Sequence, residues 1–189
     1  MFHLFKPTAT QINRFLDSLE YDAFSYPHVG ATRDSARPDG YVVDQNRQRL
    51  GQGRETFERA KQAVRQWKMF DVPGLKLIHD DTPIEADRDV ALLASHLSFY
   101  SLSSCRIVYV IDEPGRYGFA YGTLSQHAEC GEERFTVEYH SGTDEVWYDI
   151  FAFSRPGHWT VRLGYPYARY LQKRFAVRSK AAMKNAVSE

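Results

Sequence analysis

The stretch from Ser104 to Ser154 constrains this chain most. It holds four alternating β patterns, Ser104 to Ile111, Gly115 to Thr123, Glu132 to His140 and Glu145 to Ser154, joined by short turn-like links. A parallel pair needs a crossover of about a dozen residues, usually a helix, and no helical pattern lies in these links. An antiparallel meander is therefore predicted and a doubly wound parallel fold excluded. Ser141-Gly142-Thr143-Asp144 is the clearest hairpin signal. In Tyr117-Gly118-Phe119-Ala120-Tyr121-Gly122 one face carries three aromatics and the other only glycine and alanine. Either the small face seats a helix closely, or the aromatic face meets the helix and the small one turns outward. Both faces of Val146 to Phe153 are apolar apart from Asp149, as in a strand covered on both sides or one with an aromatic-lined interior.

The partner for such a sheet is the segment from Tyr165 to about Val187. At helical spacing Tyr167, Leu171, Phe175, Ala182 and Ala186 share one face, with Arg169, Lys173, Lys180 and Lys184 opposite. Arg178 falls at the centre of the apolar face, where it either pairs inward or snorkels to an edge. Upstream, Thr8 or Thr10 caps a short helix with Ile12, Phe15, Leu16 and Leu19 on one side, ending near Glu20. Pro27, Gly30, Pro38 and Gly40 break any period between Tyr21 and Gly40, which reads as a mobile loop. Tyr41 to Leu50 is a strand, and Arg54 to Phe70 a helix burying Phe57, Ala60, Val64 and Trp67. The Gly51-x-Gly53 before it lacks the third glycine and the Lys-Ser/Thr of phosphate loops, and is read as a strand-to-helix turn. Leu75 to His79 is a short strand. Val90-Ala91-Leu92-Leu93-Ala94 fits a strand or a helical turn, and strand is preferred because a meander surrounds it. The expectation is one α+β domain over 1–189, with a helix and loop in 1–40 and the core in 41–189.

Charge narrows the partners. Lys plus Arg and Asp plus Glu are both 24, so no global field recruits nucleic acid or anionic lipid, and the basic stripe of the last helix reads as a solvated face. Two cysteines, Cys105 and Cys130, suit a reducing cytoplasm with free thiols. No run of about 18 apolar residues is present, so no membrane span is expected.

The chemistry-bearing residues are few. With 12 Tyr, 12 Phe and 3 Trp, the aromatics either fill the core or line a cavity, and Trp67, Tyr109, Tyr117, Phe119 and Tyr121 are the expected lining. Arg106 interrupts an apolar strand, so it is either a structural ion pair, with Glu129, Glu132 and Glu133 the nearest carboxylates in the meander, or an anchor for an acidic ligand group. Arg178 raises the same question. His96, His127, Glu129 and Glu133 are the raw material for acid-base chemistry, and a catalytic role falls to His96, His127 or Glu133. No spacing matches a zinc site and no Gly-x-Ser-x-Gly elbow occurs, so neither metal nor cofactor is expected.

Gly51-x-Gly53 with Phe57, Ala60 and Trp67, Val90-x-Leu92-Leu93-Ala94-x-His96-Leu97, Cys105-Arg106-x-Val108-Tyr109, Gly118 to Leu124, Gly131-Glu132-Glu133-x-Phe135-x-Val137-Glu138, Ser154-Arg155-Pro156 and Leu163-Gly164-Tyr165-Pro166 together resemble the bacterial and plant family called domain of unknown function 1990. The resemblance spans about Tyr41 to Met183; Tyr100, in Leu97-Ser98-Phe99-Tyr100, stands where a tryptophan is expected. No activity carries over with it. The order of elements is similar to the START-like, birch-pollen-allergen-like helix-grip superfamily, which implies a curved antiparallel sheet wrapped around the C-terminal helix and an apolar cavity between them. The expected function is binding of a small hydrophobic or amphipathic molecule. Acid-base catalysis in that cavity, or a ligand-free protein-interaction module, are the alternatives.

Overall fold

A computed structural model of the chain describes residues 1–19, 21–78, 82–96, 98–157 and 165–188. Its centre is an antiparallel sheet of eight strands: β1 (Phe2–His3), β2 (Val42–Gln52), β3 (Leu75–Ile78), β4 (Asp89–Ser95), β5 (Tyr100–Glu113), β6 (Arg116–Thr123), β7 (Glu129–His140) and β8 (Glu145–Pro156). The order across it is β2-β8-β7-β6-β5-β4-β3, with β1 beside the start of β5. The meander thus follows the chain, and β2 closes it by pairing with β8 from Val42↔Ser154 to Gln52↔Glu145. Val90 to Ala94 is a strand, as the surrounding meander implies.

The sheet curls around helix α3 (Tyr165–Ser188), the helix-grip arrangement, with α2 (Arg54–Arg65) on the same concave side. The aromatic face of β6 is the concave one: Tyr117, Phe119 and Tyr121 join Trp67, Phe135 and Tyr148 in the main core. The small face is the convex one and seats chain rather than a helix. A Cβ on Gly122 would lie 2.0 Å from the Tyr26 hydroxyl, so only glycine lets the N-terminal segment lie down there. That segment, expected to be mobile, is strapped to the sheet, with Tyr26 and Thr32 buried. Helix α1 (Ala9–Asp17), capped by Thr8, packs Phe15 with Leu93, Leu102 and Leu124 in a second cluster, and Glu20 lies outside the described residues.

Two further expectations need correction. Helix α2 stops at Arg65, not Phe70: Trp67 takes a left-handed backbone (φ 56°) and Lys68–Phe70 is a tight 3-10 turn. The break drops Met69 and Phe70 into the core, while the Trp67 indole N–H donates to the Thr82 carbonyl at 2.9 Å. Helix α3 buries Ala176, Ser179, Met183 and Val187, a face about one residue ahead of the expected one. Tyr167 is 42% exposed, and Arg178, expected at the centre of the buried face, reaches the Pro73 carbonyl at the rim. Apolar side chains lie on several sides of this helix, so spacing alone does not choose among them; close approach to the sheet favours the small residues.

Candidate functional site

On the concave face the strand register sets up one polar row. Asp44 of β2 pairs with Ala152 of β8, Ala152 with Glu133 of β7, and Glu133 with Tyr121 of β6. One step along, Ser154 faces Gly131. At the α2 end of the interior the rings occupy the space themselves: Trp67 meets Phe119 edge-on at 4.9 Å, Tyr121 meets Phe135 at 5.4 Å, and Phe70 stacks on Phe175 at 5.6 Å. Toward β8 the residues beside Glu133 are small, and Glu129, Glu133, Ala152 and Ser154 all remain partly exposed. Helix α3 supplies polar partners along this row. Arg169 grips Asp44, with a contact of 2.7 Å, and Gln172 bonds Glu129 and, at 3.2 Å, Ser154.

Glu133 is the chemically distinctive group. Its carboxylate accepts a hydrogen bond from the Tyr121 hydroxyl at 2.9 Å, and among the described residues no cation pairs with it. Burial, reinforced by the negative charges of Glu129 and Asp44, pushes it from its ordinary 4.5 to about 7, against the opposing pull of the Tyr121 bond. Burial and the Glu133 charge in turn push the phenol of Tyr121 and the thiol of Cys105 upward, so Cys105 is no nucleophile at neutral pH. Within electrostatic reach of Glu133, the Tyr148 hydroxyl meets Ser179 of α3 at 2.9 Å.

The remaining candidates are dispersed. Trp67, Tyr117, Phe119 and Tyr121 lie together in the concave core. Tyr109 does not, because a bulge between Ile107 and Tyr109 shifts the alternation of β5 and turns Tyr109 to the convex face against Thr32. Arg106 also lies on that face, held by Asp89 at 2.7 and 3.2 Å and by the carbonyls of Leu19 and Asp22; this is the structural ion pair, with a partner none of the nearby glutamates supplies. His127 sits in the β6–β7 turn, bonded to the Glu129 backbone, and burial pushes it down to about 4, so it stays neutral. His96 stacks on Phe99 at 4.2 Å and bonds Ser101, in the β4–β5 turn. Glu129 lies near both His127 and Glu133, but His96 is elsewhere, so the three candidate catalytic residues do not form one constellation. Among the described residues no group of three His, Cys, Asp or Glu is arranged for a metal ion, and no helix is long and apolar enough to cross a membrane.

A first prediction follows from Glu133. Between pH 4.5 and about 7 the folded protein holds a proton that the unfolded chain has released, so this group's contribution falls as pH rises and the full penalty stands above 7. Glu133→Gln removes it. Urea denaturation at pH 5 and pH 8 is expected to show the variant gaining on the native protein by roughly 2 kcal/mol across that interval. His127 acts in the opposite direction in both proteins and cancels in the comparison. An unchanged difference at the two pH values would remove the neutral-acid assignment.

Sequence reasoning missed Asp44, Arg169 and Gln172, which meet only when α3 crosses the sheet. It also missed a buried network on the convex face. There Glu132 of β7 accepts from Tyr26, Gly30 and Thr32, and Arg134 donates to Asp149 at 3.1 Å and to the Thr32 carbonyl. The available signal was Asp149, the one charge in the otherwise apolar run from Val146 to Phe153.

Residues 25–182 match the family described as Domain of unknown function (DUF1990). A UPF0548 protein of Dictyostelium discoideum is 35% identical over 99% of this chain and 96% of its own length. A UPF0548 protein of Deinococcus radiodurans is 36% identical over 93% of each, and one of Arabidopsis thaliana 34% identical over 77% of this chain and 73% of its own. Relatives therefore occur in eukaryotes as well as bacteria. Among solved structures, the di-domain ARO/CYC StfQ from the steffimycin biosynthetic pathway superposes with a TM-score of 0.53 at 12% identity, over 97% of this chain and 61% of that one. The allergen Ara h 8.0201 gives 0.47 at 10% identity, over 78% and 98%.

Proposed function

For a chain that belongs to the DUF1990 family, we propose a binding function: the space between the sheet and helix α3 takes a small, largely apolar molecule carrying one hydrogen-bonding group, which meets Glu133 and Tyr121. The observation that carries this reading is Glu133 itself. An acid with no cationic partner among the described residues, set beside aromatic rings and partly open beside Ala152, lowers stability, and a structural role would be served better by an apolar residue. A ligand hydroxyl, amine or carbonyl placed there finds either a donor or an acceptor, because the carboxyl titrates near neutral pH. Trp67, Phe119 and Tyr121 supply the apolar wall. The whole chain works as one domain, with residues 1–40 bracing the core from outside. The unpaired Cys105 and Cys130 agree with a cytoplasmic location.

Native mass spectrometry of the full chain purified from its own organism, followed by displacement of anilinonaphthalene sulfonate, tests the reading. A copurifying compound that competes with the dye, and that Glu133→Gln binds at least roughly tenfold more weakly, is the expected result. A protein that carries no compound and gives no saturable dye signal would overturn it. A second reading, favoured by the same carboxyl, is that Glu133 moves a proton on the bound molecule, since a group titrating near 7 is suited to acid-base work. Conversion of the copurified compound by the native protein and not by Glu133→Gln distinguishes it from simple binding.

A further inference from the structure

The convex face carries a second feature that ligand binding under α3 does not use. Beside the strap lies a cleft of about 390 Å³, into which four arginines converge from four separate elements: Arg33 of the strap, Arg47 of β2, Arg116 of β6 and Arg134 of β7. Register explains the depression. Thr136 of β7 pairs with Gly118 on one side and Asp149 on the other, so the floor is built of short side chains, and the long ones rise around it.

The balance of donors and acceptors in this cleft is uneven. Asp149 is shared by Arg134 at 3.1 Å and Arg47 at 3.4 Å, and also accepts from Gln45. Glu138 is shared by Arg47 at 2.8 Å and Arg116 at 3.6 Å, with His140 also at 3.6 Å. Two carboxylates thus serve three guanidinium groups. Arg33 lies over the Tyr109 ring at 4.2 Å, with the exposed Asp34 as the third acidic residue at the rim. Four arginines against three acids leave an excess of one positive charge. More telling are the unused donors. Arg134 is only 3% exposed, yet its Nε–H has no acceptor among the described residues; the Nε–H of Arg116, 3.6 Å from Glu138, makes no hydrogen bond there either, nor does the hydroxyl of the fully buried Thr136 beside them. A site with surplus N–H groups on planar forks is matched by an acceptor-rich, compact anion.

We propose that this cleft is a second binding site, taking a small molecule through a compact doubly charged oxyanion, with Arg33 and Arg116 as the accessible clamps and Arg134 at the floor. Such a group is found on a phosphate ester or on a dicarboxylate. The two sources differ in geometry and are separated by the test.

Isothermal titration of the full chain with inorganic phosphate and, separately, with malonate, at fixed ionic strength maintained with chloride, reads the site directly. Saturable binding of one or both is expected: phosphate alone assigns a phosphate ester, malonate alone a dicarboxylate, and both a site that reads charge and size. Arg33→Gln is expected to weaken binding by roughly tenfold or more, and Arg116→Gln likewise. Among the described residues Arg33 makes no ion pair, and it is exposed, so the unliganded thermal midpoint of its variant should match that of the native protein, which separates lost binding from lost folding. Glu133→Gln, on the other side of the sheet, should bind both anions normally, so this site and the interior one fail independently. Absence of saturable heat with both anions into the millimolar range, or unaltered affinity in both arginine variants, would overturn the assignment.

Discussion

Replacing Glu132 with alanine is expected to cost about 4 kcal/mol of folding stability and to release residues 21–40 from the sheet. The carboxylate is 2% exposed and accepts from the Tyr26 hydroxyl and the Gly30 N–H, each at 2.7 Å, from the Thr32 N–H at 2.9 Å, and from the Thr32 hydroxyl. Truncation leaves all four donors facing an apolar gap. The strap can recover them only by lifting into water, and lifting removes the Thr32 carbonyl from Arg134 and uncovers Phe153, against which Tyr26 packs at 5.6 Å. Glu132→Gln keeps the shape but turns an amide N–H₂ toward donors, so about half the loss is expected. Urea denaturation measures the cost. Trypsin, which would cut a freed strap after Arg33 but not at the resistant Arg37-Pro38 bond, measures the release. Should the alanine variant resist trypsin as the native protein does and lose less than about 1 kcal/mol, Glu132 is not the anchor of the strap.

Phe135→Ala is expected to lose a similar amount, about 4 kcal/mol, for a different reason. This ring is fully buried at the meeting point of the interior, within 5.5 Å of the Phe70, Phe119 and Tyr121 ring centres and 6.3 Å of Phe175 on α3. Removing it forfeits the transfer energy of the ring and leaves a hole that a curled sheet, stapled on both sides by β6 and β8, closes poorly. Phe135→Leu, which retains most of the volume, should cost only about 1 kcal/mol. Glu133 lies two residues away on the same face, so the alanine variant also enlarges the proposed ligand space and should take up anilinonaphthalene sulfonate more strongly at pH 7 while still folded. A loss below about 1.5 kcal/mol would mean that α3 settles into the gap, and that the interior is softer than its ring contacts imply.

Much of the architecture was legible because it is written in local period. Short links between Ser104 and Ser154 leave an antiparallel meander as the available topology, and the preference for strand at Val90 to Ala94 follows once the meander is granted. The candidate site was legible only in part. Trp67, Tyr117, Phe119 and Tyr121 do share an interior, since alternation on β6 and spacing on α2 are local properties. Tyr109 was lost to a single bulged residue, which reverses every later side chain of β5 and leaves no mark in composition. Arg106 was recognised as a buried charge needing a partner, but Asp89 stands on the neighbouring strand and is chosen by register. The family resemblance pointed to the curl of the sheet around α3, which strand alternation alone does not fix.

By itself, then, the sequence determined the main strands and helices, apart from the short β1 and the early end of α2, the antiparallel sense of the sheet, and the amphipathic character of the helix that closes it. These follow from side-chain periods of two and about 3.6, which neighbouring residues set without help from the rest of the chain. Only the tertiary structure decided which face of α3 is buried, that the small face of β6 receives the N-terminal strap through Glu132, and that Glu133 has no cation among the described residues and accepts from Tyr121. Each of these depends on what lies opposite a residue from a hundred positions away, or on how much water is removed from around it. A carboxylate becomes an anchor on one face of β7 and a near-neutral acid on the other because burial and partners, not the residue type, set its energy.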